Sequence, residues 1–155
     1  MAPSFKAHGS QDAKALLRQD WTPFREGMRW ECVRCAWCCR QGWAVNLTWP
    51  EHERARSDRR FAALRIDRLE VEEGTGRTHP YFVIDGCCPL LEEKRSLCSV
   101  HPDWFYTCAT WPFLLMPDGT LMVNESCKGF GSGDLVDRER MTRRILSERT
   151  RAGMP

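Results

Sequence analysis

Residues 66–73 (IDRLEVEE) alternate apolar and charged side chains, Gly74-Thr75-Gly76 interrupts them, and Tyr81-Phe82-Val83-Ile84 follows as an apolar run. That period of two with a glycine break predicts a β-hairpin. A second hairpin is predicted from Leu114-Leu115-Met116, turning at Pro117-Asp118-Gly119 and returning through Leu121-Met122-Val123. Helical patterns are shorter. Residues 10–20 (SQDAKALLRQD) hold good helix formers around Leu16 and Leu17. Thr48-Trp49-Pro50-Glu51 is a capping box with proline in the first turn, and it predicts a helix over His52 to Arg60. A short helix is expected from about Pro102 to Cys108. After the glycines of Gly129-Phe130-Gly131-Ser132-Gly133, Leu135, Met141, Ile145 and Leu146 recur at partly helical spacing, which predicts a C-terminal amphipathic helix over 134–150.

The sequence shows neither an internal repeat nor a low-complexity linker, and its cysteines tie residues 32–127 into one unit. The expectation is α+β: a small irregular single domain organised by metal, with short hairpins and a C-terminal helix. Its parts read as an N-terminal helical extension (1–29), a cysteine-cluster metal-binding domain (30–131) and the C-terminal amphipathic helix (132–155).

Charge and composition narrow the function. Among 155 residues Lys plus Arg is 23 and Asp plus Glu is 21, for a net +2. That is too little to make nucleic acid or an anionic membrane the default partner. No apolar run suits a signal peptide or a membrane-spanning helix, so a cytoplasmic location is expected. There thiols stay reduced, which gives the nine cysteines their weight as metal ligands or redox groups.

Cys32-Val33-Arg34-Cys35-Ala36-Trp37-Cys38-Cys39 places three cysteines at two-residue gaps and a fourth directly after them. A two-residue gap lets a tight loop aim both sulfurs at one centre, and thiolates suit zinc, ferrous iron and iron–sulfur clusters. Three such cysteines completed by a distant Cys-Pro resemble the way ferredoxins divide ligands between clusters, and Cys88-Pro89 supplies the distant one. In extended backbone Cys38 and Cys39 point to opposite faces, so they are expected to serve different centres or different metals of a shared cluster. Cys98, Cys108 and Cys127 bring the candidate metal ligands to eight: Cys32, Cys35, Cys38, Cys39, Cys88, Cys98, Cys108 and Cys127. Cys87 is the spare, read as a small buried hydrophobe or a redox thiol.

In these blocks the chain resembles the YkgJ-like cysteine-cluster proteins, a zinc- or iron-chelating domain family. Their hallmark is C-x-x-C-G-x-C-C, then Cys-Pro-hydrophobic, a further Cys, and a Cys shortly before Pro-Phe. Cys32 to Cys39, Cys88-Pro89-Leu90-Leu91, Cys98-Ser99-Val100 and Cys108-Ala109-Thr110-Trp111-Pro112-Phe113 correspond in order, and Cys127-Lys128-Gly129-Phe130-Gly131 resembles a terminal segment of some members. Ala36 stands in place of the motif glycine, Trp104-Phe105 in place of an Arg-Pro, and Ala109 in place of an Arg. The resemblance implies metal binding and leaves the reaction open.

Other chemistries fail on spacing. A radical-SAM triad begun at Cys35 and Cys39 would need its third cysteine at Gly42, and a zinc-protease motif begun at His52-Glu53 meets Arg56 in place of its second histidine. Neither Cys35 nor Cys38 precedes a histidine, as covalent haem attachment requires. His101 reads first as a surface group and second as a ligand. Asp103 and Glu125 read as solvated or capping carboxylates, and the arginines at 138, 140, 143, 144, 149 and 151 as a solvated face. The expected function is a metal-binding protein holding an iron–sulfur cluster, [4Fe-4S] first, or iron. It would serve electron transfer or metal handling for a protein partner, without membrane or nucleic acid. The alternatives are a structural zinc module for interaction and an iron-dependent enzyme with an open metal position.

Overall fold

The computed structural model describes residues 21–71 and 76–154. The helix expected over 10–20 lies outside them. In chain order the elements are β1 (Trp21–Pro23), β2 (Arg29–Trp30), β3 (Ala44–Asn46), α1 (Trp49–Ser57), β4 (Arg68–Val71), β5 (Thr78–Val83), β6 (Leu91–Glu92) and β7 (Leu97–Cys98). Then come α2 (Tyr106–Thr110), β8 (Phe113–Leu115), β9 (Leu121–Asn124), β10 (Phe130–Leu135) and α3 (Arg138–Arg151). Among the described residues every strand pair is antiparallel, in four small sheets ordered β1-β9-β8, β10-β2, β3-β5-β4 and β6-β7. The architecture is the expected irregular α+β mix ending in a helix.

Both hairpins form. Leu69 faces Pro80 and Glu70 faces His79 across β4 and β5, while β3 adds its Val45 opposite Phe82, both almost fully buried. In the β8–β9 turn Gly119 takes the left-handed conformation that glycine adopts without a Cβ clash. The Asp118 carboxylate accepts the Thr120 N–H at 2.9 Å. The α1 capping box is complete: Thr48 Oγ1 accepts the Glu51 N–H at 3.2 Å, and Glu51 Oε2 accepts the Thr48 N–H at 3.0 Å.

Two expectations are corrected. The helix expected from Pro102 starts only at Tyr106. The carbonyls of Cys98 and Val100 are taken by the N–H groups of His101 (3.0 Å) and Asp103 (2.7 Å), so the chain turns there. The C-terminal helix expected over 134–150 begins only at Arg138, because Phe130–Leu135 is strand β10. The glycines at 129–133 belong to β10 and its approach, where the register against β2 shifts between Phe130 and Leu135. A Cβ at Gly129 would collide with the Glu31 carbonyl oxygen, so glycine permits a backbone-to-backbone contact. Within the stretches 1–29 and 132–155, Trp21–Pro23 and residues 132–135 are strand.

Two apolar cores result. Trp43, Val45, Phe61, Phe82, Val100 and Phe105 centre the first, with Cys88 among its members and Cys38, Cys39, Cys98 and Cys108 packed against it. Phe113, Leu121, Val123 and Ile145 centre the second, which α3 covers. The α3 arginines are only partly a solvated face. Arg144 donates to the Ala109 carbonyl at 3.1 Å, Arg149 to the Tyr106 hydroxyl at 3.1 Å, and Arg151 to the Trp104 carbonyl at 3.0 Å. A five-residue helix such as α2 has carbonyls with no partner within it, and α3 supplies donors to that region.

Candidate metal centre

Glu31 to Cys35 forms an exposed loop leaving β2. Arg34 and Ala36 both have positive φ, 53° and 58°. Ala36 is the position where the resembling family carries glycine, and its left-handed backbone explains that preference. Trp37–Cys39 then closes a 3-10 turn, with the Cys39 N–H donating to the Ala36 carbonyl at 3.1 Å. The expectation that Cys38 and Cys39 point apart assumed extended backbone. In the tight turn the two thiols instead share a hydrogen bond.

Four stretches of chain meet here. The Cys88 N–H donates to the Cys39 carbonyl at 2.7 Å, tying the second cysteine block to the first. The β6–β7 pairing sets Leu91 opposite Cys98, and Ser99 N–H reaches the Leu90 carbonyl at 2.7 Å. Cys108 arrives on α2, whose first N–H, at Tyr106, donates to Glu51 Oε1 at 2.6 Å. Glu51 therefore holds the starts of α1 and α2 together. The sequence flagged it only as half of a capping box, and nothing in its spacing from Tyr106 betrays the second contact.

The thiols interact electrostatically. The hydrogen bond to Cys39, then burial, then the charges of Cys39, Cys108 and Cys32 push the Cys38 thiol far up. Its partner Cys39 is lowered to about 7 because it accepts that bond, burial opposing. Burial pushes Cys88 up to about 12, with Cys39, Cys98 and Cys87 adding repulsion. Cys98 and Cys108 are raised by burial first, then by neighbouring thiols, and Cys108 also by Glu51. The backbone N–H of Leu90 bonds to the Cys88 sulfur, and those of Val100 and His101 bond to the Cys98 sulfur. Such bonds favour the thiolate, the form that ligates metal.

The other cysteines stand apart from this group to different degrees. Cys32 and Cys35 are exposed, Cys32 near enough for its charge to act on Cys38. Cys127 lies half-buried beside β2, where the Trp30 indole N–H donates to its sulfur at 3.4 Å. Cys87 is exposed, not buried, with its sulfur 3.8 Å from the Cys88 carbonyl oxygen. His101 is exposed against the edge of Trp104, and Asp103 is committed to Arg60 at 3.0 Å. Glu125 pairs with Arg25 at 2.8 Å. Four tryptophans cluster beside the site: Trp111 meets Trp21, Trp37 and Trp43 at ring separations of 5.6, 5.8 and 4.5 Å, and of these Trp43 is buried. A small cavity between Trp21, Trp43, Tyr106 and Trp111 has no cysteine in its wall.

Among the described residues, no three His, Cys, Asp or Glu side chains are arranged to hold a metal ion as they stand. The donor set nevertheless fits one chemically. Five thiols from separate stretches are held in or against one core, where their thiolates are desolvated and repel one another, and a thiophilic cation offsets both penalties.

Comparison with known proteins agrees with this chemistry. Residues 31–128 match the family model CxxCxxCC, described as "Putative zinc- or iron-chelating domain". Uncharacterized protein MJ0939 of Methanocaldococcus jannaschii is 27% identical over 130 residues, covering 77% of this chain and 44% of that protein. The chain thus spans less than half the length of that relative. No solved structure matches the chain. With its model covering more than half of the chain, the family is that of the zinc- or iron-chelating CxxCxxCC proteins, and this chain belongs to it.

Proposed function

We propose that the chain is a thiolate metal-binding protein that holds an iron–sulfur cluster or iron, and serves electron transfer or metal handling for a protein partner in the cytoplasm. Convergence of Cys38, Cys39, Cys88, Cys98 and Cys108 from four separate stretches on one core carries the reading. Cys32, Cys35 and Cys127 complete the eight sulfurs expected from spacing. A bound centre supplies a soft cation to which thiolates donate, and with iron an accessible one-electron couple. The protein's own contribution is to exclude water around Cys88 and Cys108, to aim N–H groups of Leu90, Val100 and His101 at sulfur, and to anchor Cys108 through Glu51. No helix of the described residues is long and apolar enough to cross a membrane.

The test is anaerobic purification followed by elemental analysis, acid-labile sulfide determination and visible absorption. The reading expects iron, sulfide and a brown protein. A colourless protein with stoichiometric zinc overturns the iron assignment in favour of a zinc module, and absence of any bound metal overturns the whole reading.

A further inference from the structure

β4 lies at the edge of the sheet ordered β3-β5-β4. Along an antiparallel strand the N–H and C=O of one residue point to the same side, and that side alternates from residue to residue. The Pro80 carbonyl accepts the Leu47 N–H at 2.9 Å, so Pro80 turns its main chain toward β3. His79 and Tyr81 therefore turn theirs toward β4, and their partners Glu70 and Arg68 answer toward β5. That leaves the N–H and C=O of Leu69 and Val71 on the open edge, where no strand of the described residues pairs with them. Their side chains are also uncovered, 56% and 57% exposed. Both lie on the face of the sheet that carries Pro80 and, further along β5, Phe82 of the first core. Exposed Trp49 joins them, its indole N–H donating at 3.2 Å to the carbonyl of Thr78, the residue opposite Val71. An apolar patch thus continues the core face out to an unpaired edge, the pattern by which a sheet takes on a further strand.

We propose that the occupant of this edge is β4 of a second copy of the chain, paired antiparallel about Leu69. Charge selects both occupant and register. With Leu69 opposite Leu69 of the second copy, Arg68 lies opposite Glu70 and Glu70 opposite Arg68, so two cross-strand pairs of opposite charge form. Glu70 Oε2, 3.4 Å from His79 Nε2, lies on that polar face. The next register that keeps the outward groups bonded centres on Glu70 and sets two glutamates against each other. A two-fold axis through Leu69 makes the surface self-complementary, as an isologous dimer requires. It joins two three-stranded sheets edge to edge and lays Leu69, Val71 and Trp49 of one copy beside those of the other on one face. The strand is short and the interface small, so the dimer is weak, micromolar or weaker in dissociation constant. The pairing uses no cysteine and stands apart from the metal-binding function.

Sedimentation equilibrium of the full chain, kept reduced so that no disulfide links the copies and run from micromolar to submillimolar concentration, reads the association. The wild type is expected to pass reversibly from monomer to dimer across that range. Leu69→Lys, which sets like charges face to face at the axis, is expected to stay monomeric throughout. Arg68→Glu and Glu70→Arg are each expected to weaken the dimer about tenfold, and the double variant Arg68→Glu/Glu70→Arg, which restores opposite charges across the axis, to return to within about twofold of wild type. Leu135→Lys, at a comparably exposed leucine on β10, is expected to leave the dimer unchanged. A wild-type chain that stays monomeric at every concentration overturns the proposal. So do a dimer that survives Leu69→Lys, a double variant no tighter than the single ones, and an equal loss on Leu135→Lys.

Discussion

Replacing Glu51 by glutamine tests how the site is braced. Glu51 is 4% exposed, and its two carboxylate oxygens serve different donors: Oε2 accepts the Thr48 N–H at 3.0 Å and Oε1 the Tyr106 N–H at 2.6 Å. Glutamine has one acceptor oxygen and an NH₂ group, so either orientation satisfies one N–H and sets a donor against the other. Leaving a buried donor without a partner costs about 1–3 kcal/mol. With a urea dependence of about 2 kcal/mol per molar, the midpoint should fall by about 0.5–1.5 M. Glu51→Ala orphans both donors and should fall about twice as far.

The effect also has a pH signature. Burial raises the Glu51 pKa above its ordinary 4.5, against the pull of both hydrogen bonds. As pH rises above 4.5 the unfolded chain therefore releases a proton that the folded chain still holds, and this contribution to stability declines until the folded carboxyl ionises too. Glu51→Gln removes that slope. Urea denaturation of wild type and variant at equal metal content, repeated from acid to neutral pH, reads both effects. A midpoint shift under 0.2 M together with an unchanged pH slope refutes the bridging role.

Other expectations follow from single contacts. Gly129→Ala should destabilise by about 1–3 kcal/mol, since its Cβ meets the Glu31 carbonyl. Gly131→Ala, with open space around it but φ of +89°, should cost about 1–2 kcal/mol. Thermal unfolding ranks the two, and the reverse order contradicts the close β2–β10 approach. Arg149→Met should cost about 1–3 kcal/mol by taking donors from the Tyr106 hydroxyl and the Leu115 carbonyl, whereas exposed Arg143→Ala should stay within about 0.5 kcal/mol. Equal denaturation midpoints for these two variants contradict the inward arginine. Because Cys88 is raised to about 12 and Cys98 and Cys108 are also raised, metal must displace their protons at neutral pH. Affinity measured by chelator competition should then rise with pH, about tenfold per unit for each proton released. A pH-independent affinity contradicts thiol ligation.

Local signals in the sequence were read correctly where the structure is local. The Thr48–Glu51 box and the Pro117-Asp118-Gly119 turn depend on residues within four positions of one another, and both form. The role of Gly129 has no local signal because its reason lies about 100 residues away, in the backbone of Glu31. Pro102 misled because its surroundings are spent on turns after Cys98. The arginines of α3 read as solvated because the sequence does not reveal that a short helix nearby has carbonyls in need of donors. At the site, spacing nominates the sulfurs but carries no information on their depth. Only folding separates exposed Cys32 and Cys35 from buried Cys88, and it turns Cys38 toward Cys39 through a 3-10 turn that periodicity cannot register.

X-ray absorption at the K-edge of whichever metal co-purifies with the chain tests the central claim most directly. Thiolate ligation predicts a first shell of sulfur alone, at about 2.3 Å if the metal is zinc, and loss of the bound metal on Cys108→Ser substitution. A first shell dominated by nitrogen and oxygen, unchanged by that substitution, would contradict it.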